Sequence, residues 1–206
     1  MNTLEPNQFI RQCLLEAPET TKYNVGRIKK AAEKILDQIE PNSYYHSTNS
    51  LFDKPKPYYD QTVSKSSDKP KGFWSAKGNE WVDWSISEMP QWLTKYIYKL
   101  NVDILDPSIL KFRDIDSFEP YLKEMKGLDH PLLKPSDFYF YWNPLSKHYK
   151  GIEVDNPRRI AYTDMKQLSF LLGWDISSLV LWDTSVLKGY DLAFEYNDEL
   201  GIYEKK

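Results

Sequence analysis

Three kinds of side chain in this sequence could do chemistry together: an imidazole at His46, indoles at Trp74, Trp81 and Trp84, and a carboxylate at Glu153. A neutral imidazole offers one hydrogen-bond donor and one acceptor. An indole face attracts a planar cation by about 0.5–2 kcal/mol. A carboxylate stabilises positive charge as it develops and can deprotonate an incoming nucleophile. Each has a plainer reading. His46 lies among Tyr44, Tyr45 and Thr48 and could be a satisfied structural residue. Trp81 is expected to serve packing alone. Alternation along Ile152-Glu153-Val154 turns Glu153 out of the core, so a solvent-facing carboxylate is its alternative. Glu199 and Glu204 are its rivals, in a tail expected to fray.

Other chemistries lack their residues. His130 and His148 stand beside Pro and Tyr with no ligand spacing, and the single cysteine, Cys13, is far from both, so no metal site is expected. No Gly-rich phosphate loop and no nucleophile elbow occurs. Arg158-Arg159 reads as a solvated pair or as a contact for phosphates. A net charge of −3 argues against a protein held to nucleic acid by a broad basic surface. Seven Trp and fifteen Tyr serve the core in large part, and so many amphipathic rings also suit a pocket that stacks flat ligands. One cysteine cannot form an internal disulfide, and a reduced, cytoplasmic setting is the default. No signal peptide and no transmembrane run is expected.

The elements that would position these groups follow from local pattern. Asn24 caps a helix carrying Ile28, Ala32, Ile35 and Ile39 at three- and four-residue steps, after a shorter helix around 7–15. Strands are expected at 43–48, 72–76, 102–105, 109–112, 151–154 and 178–182, with an edge strand within 192–203. Asn79 should cap a helix carrying Trp81 and Trp84, kinked or ended by Pro90 and continued over 91–98. A short helix is expected at 116–125, and residues 138–142 read as an aromatic strand or loop. Residues 49–71 form a long polar loop, of the kind that often carries function. Helices and strands mix without strict alternation, which makes the fold class α+β.

The ordered set Tyr45-His46-Ser47-Thr48, Gly72-Phe73-Trp74-Ser75-Ala76, Trp81–Trp84 and Glu153 resembles the ADP-ribosyltransferase superfamily, in the His–Tyr–Glu branch of diphtheria-type toxins and poly(ADP-ribose) polymerases. The resemblance covers roughly 44–182. It implies a split mixed β-sheet preceded by N-terminal helices, with a helical segment at 1–40 and a catalytic domain at 41–206. It implies NAD as the cofactor, consumed as substrate. His46, Ser47 and Thr48 match the first motif, whose His bonds the adenosine ribose. Trp74 matches an aromatic beside the nicotinamide, Trp84 the aromatic that stacks on it, and Glu153 the catalytic acid. Ser47 stands where the family usually has Gly, and Trp84 where Tyr is usual.

The implied activity is mono-ADP-ribosyl transfer from NAD to a macromolecule by a toxin, effector or defence enzyme, with a neutralising antitoxin as a possible partner. Gly151, two residues before Glu153, is neither Glu nor Gln, so the arginine-modifying pattern is absent and a nucleic-acid acceptor is favoured over protein. The alternatives are a non-catalytic NAD- or partner-binding module on the same fold, and an interaction protein with an aromatic surface. Glu153→Ala is expected to abolish NAD cleavage and leave the fold intact.

Overall fold

Asn24 caps helix α1 (Val25–Glu33) by accepting the Arg27 N–H at 3.1 Å. The computed structural model describes residues 24–51, 54–58, 61, 69–114, 116, 142–163, 168, 171 and 173–206. The helix expected at 7–15, most of those expected at 116–125 and 138–142, His130 and Cys13 lie outside them. Ile28, Ala32, Ile35 and Ile39 are buried, as their spacing requires. The α-helix ends sooner than the apolar stripe does. A 3-10 turn (Leu36–Gln38) carries the stripe on to Ile39.

Eight strands form one mixed sheet: β1 (Tyr44–Thr48), β2 (Phe73–Lys77), β3 (Tyr96–Val102), β4 (Ile109–Phe112), β5 (Gly151–Val154), β6 (Ser178–Leu181), β7 (Leu187–Asn197) and β8 (Ile202–Lys205). Their order is β4-β5-β6-β2-β1-β3-β7-β8. Only β4 and β5 run parallel. Helices α2 (Glu80–Ser87), α3 (Asn143–His148) and α4 (Pro157–Thr163) complete the described helices. The α+β class is therefore observed.

Three expectations needed correction. No strand runs over 102–105: Val102 is the last residue of β3, and 103–105 lead through a turn toward β4. The segment after Pro90 does not extend a helix: a 3-10 turn (Pro90–Trp92) ends it and β3 begins at Tyr96. Tyr96, Ile97 and Tyr98 are β-prone residues, and pairing with both β1 and β7 outweighs any helical continuation. Asn79 precedes α2, but its side chain makes no capping bond.

Strand alternation sorts the core into three clusters. On one face, Ile152, Val154 and Val180 pack with Leu145, Ile160 and Ala161 from α3 and α4. On the same face, Tyr45, Ile97 and Phe194 pack with Ile28 and Ala32 of α1 and Val82 and Ile86 of α2. Residues 24–39 thus share one core with the sheet. On the other face, Ile109 of β4 and Leu100 of β3 meet Tyr44, Phe73 and Leu179 in one cluster. That cluster draws residues from five strands, β4, β6, β2, β1 and β3, so a second core covers this face of the sheet.

Candidate functional site

The ladder between β1 and β2 stops early. Tyr44 pairs with Lys77 and Tyr45 with Ala76, and there the pairing ends. Yet β1 stays paired to β3 through Thr48, and β2 to β6 back to Phe73. The two strands part, and a cavity of about 310 Å³ lies at the parting. Pockets for small molecules span roughly 300–1,000 Å³, so this one sits at the low end.

His46 and Ser47 reach the cavity from β1 and Trp74 from β2. Trp81 and Trp84 reach it from α2, three residues apart and hence on one helix face. Trp92, in the turn after α2, completes a triangle: its ring lies 5.8 Å from Trp81 and 5.7 Å from Trp84, and those two stack at 5.4 Å. Elsewhere on the cavity wall, Trp74 packs on the buried Trp174 at 4.7 Å. Trp74 Nε1 donates to the Pro70 carbonyl at 3.3 Å, and Lys69 Nζ stands 5.6 Å from its ring centre. That indole face already attracts a cation.

His46 Nδ1 lies 2.7 Å from the Trp74 carbonyl oxygen, and its ring 4.3 Å from Phe73. A carbonyl only accepts, so Nδ1 carries the proton and Nε2 is the acceptor side of the ring. Burial holds this imidazole below its ordinary value of 6.5, against the smaller opposing pull of the Trp74 carbonyl. The ring is neutral at pH 7.

Glu153 is only 3 % exposed, and the solvent-facing alternative does not hold. Oε1 accepts the Tyr44 hydroxyl hydrogen bond, and Oε2 lies 2.9 Å from both Lys111 Nζ and Arg113 Nη2. Lys111 is its direct cross-strand partner on β4. Arg113 also reaches Asp155 at 3.0 Å, and Lys77 meets Asp155 at 3.3 Å. Burial pushes the Glu153 carboxyl up, but Lys111, Tyr44 and the Arg113 charge together outweigh it and hold it below its ordinary 4.5. Tyr44 is raised, by burial first and by Glu153 second.

Of the six residues singled out from sequence, His46, Ser47, Trp74 and Trp84 share the cavity. Thr48 does not line it; its Oγ1 accepts the Ser50 N–H at 3.2 Å. Glu153 does not line it either. By register it belongs to the face of Leu179 and Ser75, whereas Trp74 belongs to the face of Val180 and Ile152. Trp81, expected to be packing alone, does line it.

Sequence reasoning missed Lys69, Trp92, Trp174 and Asp175, all on the cavity wall. Gly173-Trp174-Asp175 just before a predicted buried strand was the available signal for two of them. It also missed Gln61, which is buried inside the long loop and ties it to the approach to β2. Gln61 Nε2 donates to the Tyr58 and Lys71 carbonyls at 2.7 Å each, and its Oε1 accepts the Lys71 N–H at 3.0 Å. Arg158, expected in a solvated pair, bridges to Asp175 at 2.7 Å.

No helix of the described residues is long and apolar enough to cross a membrane. No protein-family model, curated protein or solved structure matches the chain.

Proposed function

We propose that this chain is an NAD-dependent ADP-ribosyltransferase whose nicotinamide site is the cavity at the parting of β1 and β2. The observation that carries the reading is the meeting of His46, Ser47, Trp74 and Trp84, drawn from three elements, around that one space. The nicotinamide ring is flat and cationic, and indole walls suit it by about 0.5–2 kcal/mol for a cation on an aromatic face. His46 lies on the wall of the same cavity, and the resemblance assigns the residue at this position to the adenosine ribose. The cavity is small, so the rest of a dinucleotide would lie in its mouth.

In the reaction the bond from ribose C1′ to the nicotinamide nitrogen breaks, and its electron pair leaves with neutral nicotinamide. The resulting oxocarbenium-like carbon is captured by an acceptor nucleophile, which gives up a proton. A carboxylate near the ribose stabilises the charge that develops. The acceptor is a macromolecule, with nucleic acid favoured over protein, and a neutralising partner would act by covering the cavity.

The test is incubation with NAD labelled in the ADP-ribose part, scoring nicotinamide release and transfer of label to RNA, DNA or protein of a lysate. Release with transfer is expected. NAD binding by calorimetry without release would favour the second reading, a non-catalytic NAD-binding module. A specific observation favours that second reading: both oxygens of Glu153 are engaged by protein groups away from the cavity. Absence of any NAD binding would overturn both.

A further inference from the structure

We propose that Asp175, and not Glu153, is the carboxylate that meets the bound nucleotide, and that it reads a ribose hydroxyl. This inference rests on the proposed nucleotide-binding role of the cavity. Asp175 is the acidic residue on the cavity's described wall. Its side chain is 34 % exposed. Oδ1 takes Arg158 at 2.7 Å, and Oδ2 has no hydrogen bond among the described residues. An ionised carboxylate oxygen is an acceptor only, and the natural partner for it is a hydroxyl. Glu153 differs on each count: it is buried, both oxygens are engaged, and it stands on the other sheet face from Trp74.

The position of Asp175 is held from both sides. Trp174 before it is buried, with its N–H donating to the Leu171 carbonyl at 2.9 Å. Ser177 after it donates its N–H to Glu80 Oε2 at 2.6 Å, and Ser177 Oγ accepts the Asn156 N–H at 3.1 Å. The segment is thus tied to α2, whose indoles line the same cavity, and to the turn before α4, the helix that carries Arg158. Ligand ring and ligand hydroxyl would be gripped by groups fixed to one another, the condition for a site that selects ribonucleotides.

The experiment is calorimetric titration of the parent, Asp175→Asn and Glu153→Gln with NAD and with its 2′-deoxy analogues at either ribose. Asp175→Asn should weaken NAD about tenfold or more, the usual worth of a hydrogen bond to a charged group. One deoxy analogue should bind the parent equally weakly and lose nothing further in Asp175→Asn. Glu153→Gln, checked as folded by circular dichroism, should keep the parent's affinity within about twofold. The parent's preference for NAD over one of the analogues needs no variant, so a parent that binds NAD and both analogues alike overturns the inference even if Asp175→Asn misfolds. A parent that binds NAD while Asp175→Asn matches it overturns this inference alone. A parent that binds no NAD overturns it together with the reading it rests on.

Discussion

Replacing Glu153 by alanine tests whether its carboxylate is a structural keystone of the sheet. The substitution leaves the Tyr44 hydroxyl buried without its acceptor, which costs about 1–3 kcal/mol. It also strands Lys111, whose ammonium is buried against that carboxylate. Removing one member of a buried ion pair costs about 3–5 kcal/mol when the other is fully enclosed. Here the enclosure is incomplete: Lys111 Nζ itself is covered, but the rest of its side chain and Arg113 reach solvent. The Lys111 side chain is 29 % exposed, and Arg113 is 44 % exposed and keeps Asp155, so solvent screening cuts their share. A net loss of about 3 kcal/mol follows. For a chain of this size that lowers Tm by roughly 6–12 °C. Thermal unfolding followed by near-ultraviolet circular dichroism at pH 7 measures it. The burial thus revises the expectation that Glu153→Ala leaves the fold untouched, and any activity loss must be read beside that Tm. A variant unfolding within about 2 °C of the parent would refute this account. So would a Lys111→Met, Glu153→Met pair whose losses simply add, since groups in direct contact should couple.

Trp84→Ala should weaken NAD binding by a factor of about 2 to 30, the range for a cation stacked on indole, measured by calorimetry. Acid should destabilise the fold in two stages. His46 is held below its ordinary 6.5, so the unfolded chain takes the proton first and stability declines as pH drops below about 6.5. Glu153 is held below its ordinary 4.5, so its contribution is present above about pH 4.5 and is lost as pH falls through the lower folded value. Tm recorded from pH 8 down to about pH 2 checks both, and His46→Gln should remove the upper stage only. Gly151→Ala should cost about 1–3 kcal/mol by overpacking, because its new Cβ would meet the Val180 carbonyl oxygen at 2.5 Å; urea unfolding measures it.

The mixed fold class and many strand positions were readable because Val, Ile, Tyr and Trp cluster between Pro, Asn and Gly breaks. The α1 stripe was readable because one helical face is apolar. Tertiary effects were not. Residues 95–98 look as fit to end a helix as to begin a strand, and only two flanking partners decide it. Alternation correctly gave Glu153 a face opposite to Ile152 and Val154, but it could not say that Tyr44, Lys111 and Arg113 close over the carboxylate on that face. His46 and three of the indoles could be named from local motif, whereas Trp92, Trp174 and Asp175 come near them only through folding. Gly151 was legible only as a departure from a motif, while its close approach to β6 needs coordinates.

Where β1 and β2 part, each strand keeps its outer neighbour and gives up its inner one. The link across that gap is a side chain: His46 Nδ1 donates to the Trp74 carbonyl, a clasp where a ladder rung would otherwise stand. A clasp of this kind can be changed by one substitution without altering the main chain, so the spacing of the two strands beside the cavity answers to the residue at position 46.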